Sequence, residues 1–130
     1  MILHLLRHGQ SVWNVEERVQ GQTHHVPLTA DGVRQAREAR ERLAGVPLAA
    51  VLSSDQVRAR QTADVVADAH GLPVRETTLL REQGLGSLEG KHYSELEEEA
   101  TPEGAHVSEV RWGGGESMSD VAARLRVLVD

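Results

Sequence analysis

A chain of 130 residues with a net charge of −6 has the size of one domain, and its acidic balance argues against nucleic acid or an acidic membrane as partner. The absence of cysteine excludes disulfides and thiolate metal sites. No apolar run approaches a membrane span and the amino terminus lacks a signal-peptide pattern, so the expectation is a soluble cytoplasmic protein with a single domain over 1–130.

There is no phenylalanine, and Trp13, Tyr93 and Trp112 are the only aromatic residues besides histidine, so the core must be Leu, Val and Ala. That composition suits α/β layers. The run Ile2, Leu3, Leu5, Leu6 predicts a buried strand. It leads into Arg7-His8-Gly9-Gln10-Ser11, which puts a guanidinium and an imidazole at a sheet's carboxyl edge, where open α/β sheets place ligands. Gly9 lets the backbone approach a ligand, and arginine beside histidine points to an anion. Strands also end at the surface in basic residues for no functional reason, so the pair gains its weight from the rest of the chain.

Val12 to Pro27 is polar and aperiodic and reads as a loop with one helical turn near Asn14. His24 and His25 within it read as solvated loop residues rather than metal ligands, because nothing else has ligand spacing. Thr29 caps a helix whose apolar positions are Val33, Ala36, Ala39, Leu43 and Ala44, stopped by Gly45 and Pro47. Leu48 to Leu52 predicts a second strand. Ser54 or Asp55 then caps a helix over Gln56 to Ala69, ended by Gly71 and Pro73. Arg58 lies in its first turn, where the helix dipole disfavours a cation, and from there it can reach over the sheet edge toward His8. Arg60 points away and reads as a solvated charge.

Pro73 to Arg75 predicts a short third strand. Glu82 enters the segment Gly84 to Gly90, whose alternating glycines suit a loop pressed against a ligand or another backbone rather than a strand interior. A short helix is expected over Tyr93 to Glu99 with a capping box from Ser94 to Glu97. Gly113-Gly114-Gly115 precede a last helix with Met118, Val121, Leu125 and Leu128 on its buried face. Three glycines before a helix are able to cradle a phosphate on the helix amides, although no nucleotide P-loop pattern is present.

Four segments in this order, R-H-G-Q-S (Arg7–Ser11), S-S-D-Q-V-R-A-R-Q-T-A (Ser53–Ala63), L-R-E-Q-G-L-G-S-L-E-G (Leu80–Gly90) and G-G-E-S (Gly114–Ser117), together resemble the histidine phosphatase superfamily, the phosphoglycerate-mutase-like proteins, over nearly the whole chain. The resemblance implies a three-layer α/β/α fold with a mostly parallel sheet. It implies His8 as nucleophile, Arg7, Arg58 and Asn14 as phosphate-binding residues, and Glu82 as general acid, with its pKa raised by burial beside Leu85 and Leu88. Ser11 and the loop Gln20, Gly21 and Gln22 would contact the substrate, a small phosphorylated molecule. No metal and no other cofactor is implied.

The resemblance also implies a second catalytic histidine, in a V-S-H-G-like segment after a later strand, and the sequence has no such segment. His70, His92 and His106 do not match it. The family's strands on either side of the first strand likewise have no counterpart in the sequence. One of three cases is therefore expected: the fold is a truncated one, or the edges of Ile2–Leu6 are filled by a homodimer or a completing chain, or the first strand pairs directly with the second.

Gln20-Gly21-Gln22 and Glu82-Gln83-Gly84-Leu85 look like the phosphatase branch. The expected function is hydrolysis of small phosphate monoesters through a phosphohistidine. Mutase-type transfer is one alternative. A phosphate-binding module with little or no turnover is another.

Overall fold

The computed structural model describes residues 1–130 as an α/β arrangement built on one βαβ unit. Strand β1 (Val51–Ser53) leads into a helix over Val57–Ala69 and returns as β2 (Val74–Glu76). The two strands pair in parallel, Val51 opposite Val74, Leu52 opposite Arg75 and Ser53 opposite Glu76. Helices are numbered α1 (Val12–Val15), α2 (Ala30–Leu43), α3 (Val57–Ala69) and α4 (Met118–Val129). Five 3-10 turns occupy the rest of the carboxyl-terminal half. No helix is long and apolar enough to cross a membrane.

Helix α2 begins where its cap demands: the Thr29 hydroxyl accepts from the Gly32 amide, with Asp31 in the first turn. Helices α2 and α3 pack on each other and bury Ala36, Val66 and Ala67; Val19, Val26 and Leu28 complete the buried apolar set. This core is aliphatic, as the composition requires, and small.

Several elements differ from expectation, each for a local reason. Ile2–Leu6 is not a strand. No backbone N–H or C=O of residues 1–8 is hydrogen-bonded within the protein, and Ile2 and Leu5 are 82% and 93% exposed. A strand is defined by its neighbour, and β1 pairs only with β2, so the expected direct pairing with the second strand is absent too.

Helix α3 is capped by Gln56 rather than by Ser54 or Asp55, and without a side-chain bond to its first amides. Asp55 is instead spent on a bidentate pair with Arg81, its Oδ1 accepting from Arg81 Nε at 2.8 Å. The expected helix after Tyr93 is a single 3-10 turn, Tyr93–Glu95. It is boxed by His92 and Glu95, two residues earlier than the expected Ser94 and Glu97. Helix α4 is capped by a Ser117–Asp120 box, but none of its residues is fully buried. Met118 is 60% exposed and Leu125 37%, and the face turned inward carries Arg124 beside Val121 and Leu128.

Candidate functional site

The Arg7–Ser11 turn is held from behind by α2 and α3. The Gly9 amide donates to Thr62 Oγ1 (3.1 Å), the Gln10 amide to Gln35 Oε1 (2.8 Å), and the Gln10 carbonyl accepts from the Thr29 amide (2.9 Å). Gly9 and Gly32 are in backbone contact: a Cβ on Gly9 would overlap the Gly32 carbonyl, and one on Gly32 would overlap that of Gln10. The close approach that Gly9 permits is therefore to the start of α2, and it seats the turn against the helix.

His8 Nδ1 lies 2.6 Å from the Gly9 carbonyl oxygen. A carbonyl only accepts, so Nδ1 carries the proton and Nε2 keeps its lone pair. Burial lowers the His8 pKa below its ordinary 6.5, and the positive charges of Arg58 and Arg7 lower it further. The Gly9 bond and the Glu82 carboxylate act in the opposite sense without reversing the shift. The imidazole is thus neutral at neutral pH, with a fixed tautomer and a free nucleophilic nitrogen.

Arg7 is exposed, and with His8, Gln10, Asn14 and Gln35 it lines an open cleft that has no apolar wall. The three amides of this cleft are oriented alike. Asn14 Oδ1 accepts from the Ser11 amide (2.8 Å), Gln35 Oε1 from the Gln10 amide (2.8 Å), and Gln10 Oε1 from the Thr29 hydroxyl (2.8 Å). With each oxygen engaged inside the protein, each NH2 is left as a donor. One cation, Arg7, and a set of amide donors around a neutral imidazole suit an anion rather than a cation.

Arg58 is 1% exposed and points under the Gln20–Thr23 loop, donating to the carbonyls of Thr23 and Gly21 (2.8 Å each). No carboxylate pairs with it, and its buried Nε has no partner. Burial pushes the guanidinium below its ordinary value, partly countered by Glu82 and Glu89. A buried charge without a counter-ion is costly unless a ligand supplies one. Held under the loop, Arg58 does not reach over a sheet edge to His8 as expected from its place in the first turn of α3; its charge still acts to lower the His8 pKa.

The other site candidates fall into three positions. Gln20, Gly21 and Gln22 form the wall that carries Arg58: Gln20 Oε1 accepts from Ser11 Oγ, Gly21 O from Arg58 and from Gln56 Nε2 (3.0 Å), and Gln22 Nε2 donates to the Glu82 carbonyl (3.1 Å). Ser11 is fully buried and its hydroxyl is committed to capping α1, so it does not face the cleft. Glu82 acts electrostatically on both His8 and Arg58, but its side chain is exposed rather than buried beside Leu85 and Leu88.

The glycine segments meet each other. A Cβ on Gly86 would overlap the Gly113 carbonyl, and one on Gly115 would overlap that of Gly84. The alternating glycines thus press on another backbone, one of the two readings of that pattern, and Gly113–Gly115 are occupied by this contact instead of forming a phosphate cradle. His25 packs edge-on against Trp13 with ring centroids 5.7 Å apart. His70 ends α3, and His92 and His106 cap 3-10 turns.

Residue-by-residue reading missed Gln10, Gln35, Gln56, Glu89, Glu116 and Arg124. Gln10 had a signal, its place inside the Arg-His-Gly turn. Packing of helix on loop brings Gln35 to that turn, and Gln56, Glu89, Glu116 and Arg124 to the Gln20–Thr23 loop and the segment that carries Glu82.

Proteins of known character share this architecture. A probable phosphoglycerate mutase, GpmB, of Klebsiella pneumoniae is 38% identical over 133 residues, covering 95% of this chain and 59% of its own length. The solved mycobacterial glucosyl-3-phosphoglycerate phosphatase in complex with VO3 superposes with a TM-score of 0.83 at 38% identity, over 94% of this chain and 59% of that one. YhfR of Bacillus stearothermophilus gives 0.78 at 32% identity, over 95% and 62%. The chain therefore spans about three fifths of the length of these relatives. The family model described as histidine phosphatase superfamily, branch 1, matches residues 3–130, and the chain belongs to that superfamily.

Proposed function

We propose that this chain carries the phosphoryl-transfer centre of a phosphatase for small phosphate monoesters, working through a phosphohistidine on His8 and needing no metal. The observation that carries the proposal is the pairing of a neutral, tautomer-fixed His8 with Arg58, a buried cation lacking a carboxylate partner.

The His8 Nε2 lone pair attacks phosphorus while the P–O bond to the alcohol breaks in line. Arg7, Arg58 and the Asn14 amide donate to the phosphoryl oxygens, where negative charge is held through the transition state. Glu82, entering this step as the acid, gives its proton to the leaving oxygen. As carboxylate it then takes a proton from water. The resulting hydroxide attacks phosphorus, the P–N bond breaks, inorganic phosphate leaves, and Glu82 is again the acid.

The exposure of Glu82 supports hydrolysis over mutase-type transfer, because water has direct access to the group that activates it. Gln20 to Gln22 would border the alcohol portion. Both a probable mutase and a phosphatase among the relatives carry phosphoglycerate in their names, which favours phosphoglycerate-type or sugar phosphates as substrates. The same reading takes the setting to be cytoplasmic. It includes a second polypeptide, in a homodimer or as a completing chain, against the unpaired Ile2–Leu6 segment.

The test is hydrolysis of an aryl phosphate in excess chelator beside a His8→Ala control. Turnover that survives chelation and is lost in the control is expected. A folded chain that binds phosphate but turns over no faster than the control would overturn the proposal and leave a phosphate-binding module. Formation of 2-phosphoglycerate from 3-phosphoglycerate without phosphate release would assign the mutase instead.

A further inference from the structure

Outside the cleft, a polar cluster joins the Gly-Gly-Glu-Ser turn, helix α4 and the Glu82 segment. Arg124 lies on the inward face of α4 and pairs bidentately with Glu116, Nε to Oε1 at 2.9 Å and Nη2 to Oε2 at 3.2 Å. The side chains are only 15% and 26% exposed.

Both residues have further partners, all on one segment and one loop. Arg124 Nη1 donates to the Leu79 carbonyl (2.6 Å), and Nη2 donates to those of Arg81 (2.6 Å) and Glu82 (3.1 Å). Glu116 Oε2 accepts from the Gly84 amide (2.8 Å) and from Gln22 Nε2 (2.9 Å). The backbone of Glu116 repeats the grip: its amide donates to the Gly84 carbonyl (2.7 Å) and its carbonyl accepts from Gln83 Nε2 (2.8 Å). The pairing lowers the Glu116 pKa, so the carboxylate stays ionised.

The Glu82 side chain has no comparable support, since its one bond is from the Gln83 amide. Its backbone, by contrast, is held on both sides. The amide donates to Gln56 Oε1 (3.2 Å), and the carbonyl accepts from Gln22 and Arg124. Where an exposed carboxyl can reach is bounded by where its Cα is fixed, and α4, through Arg124, supplies one of the three holds on it.

We infer that Glu116 and Arg124 act as one unit, a pair of positioning residues that fix the Glu82–Gly84 backbone and the Gln22 side chain and so aim the Glu82 carboxyl at the phosphoryl site. This rests on the proposed role of Glu82. Neither residue touches the reacting atoms. Only arginine presents enough donors in one plane to hold three carbonyls and a carboxylate together.

The test compares wild type with Arg124→Lys and Glu116→Gln on two substrates, 4-nitrophenyl phosphate and the alkyl ester 3-phosphoglycerate. A nitrophenolate leaves without protonation, whereas an alkoxide needs the acid. Misaiming Glu82 is expected to lower kcat on the alkyl ester on the order of 100-fold with KM little changed, and to lower it far less on the aryl ester. In a Glu82→Gln background the same substitutions should add little. Equal losses on both esters, or losses that multiply with Glu82→Gln, would overturn the inference and leave a purely structural ion pair.

Amide hydrogen exchange gives a readout independent of turnover. Arg124→Lys is expected to speed exchange at Glu82, Gln83 and Gly84 while amides in the middle of α2 and α3 keep the wild-type rate. If wild type proves inactive, the proposed function fails and this exchange pattern still decides the positioning: unchanged exchange at Gly84 would overturn it.

Discussion

The charge of Arg58 acts on His8, and this gives the site a pH signature. Protonated imidazole has no lone pair to offer, so kcat/KM should rise with pH through the His8 pKa. Because burial, Arg58 and Arg7 lower that pKa, the acid limb is expected to have its midpoint below 6.5. Arg58→Gln removes one of the depressing charges and should move the limb to higher pH while weakening phosphate binding; a pH–rate profile of both proteins checks this. The same shift makes folding stability fall as pH drops from 6.5 through the lowered value, because the unfolded chain takes up the proton first.

Among the elements, the two glycine turns leave no room for a side chain where they meet. An Ala methyl at Gly115 would overlap the Gly84 carbonyl, whereas at Gly45 it would meet nothing within 4 Å. Gly115→Ala is expected to cost about 1–3 kcal/mol and to displace the Glu82 segment. Gly45→Ala should stay within about 0.5 kcal/mol of wild type. Urea unfolding of the two variants separates these cases. The Ile2–Leu6 segment is the opposite case, an apolar strand sequence with no strand to pair with. Unpaired apolar edges promote association, so sedimentation should show concentration-dependent self-association. Leu5→Lys, at a side chain 93% exposed, should reduce it without unfolding α2 and α3.

At the scale of the molecule, only 17 of 130 residues are buried, and seven of those are polar or charged, Arg58 among them. The small interior is therefore as much polar as apolar, and its one buried charge, Arg58, is the group an anion would neutralise. An anion that binds the folded state alone stabilises it by mass action, by roughly 2.7 kcal/mol at a hundred times its dissociation constant. Inorganic phosphate is expected to raise the Tm of wild type and to leave that of Arg58→Gln nearly unchanged, with sulfonate buffers as the ionic-strength control. Equal shifts in both proteins would show that the stabilisation does not come from Arg58.

The two short strands to within a few residues, the Thr29 cap, α2 and the span of α3 were legible in the sequence, because each follows from local periodicity, capping chemistry or a breaker residue; Arg7 and His8 were expected at a strand's end on a sheet edge, and no strand leads into them. The glycine-rich segment was legible as a close-approach loop, but whether against a ligand or another backbone was not. What tertiary structure alone decided is everything that needs two distant segments at once. Whether Ile2–Leu6 is a strand depends on a neighbour, and periodicity cannot supply one. Whether Glu82 is buried depends on how Leu85 and Leu88 pack. Whether Arg124 faces solvent or three carbonyls depends on α4 docking against residues more than forty positions away. Local sequence specifies helices and turns through interactions within a few residues, whereas a site assembled from five segments is specified only by how they pack.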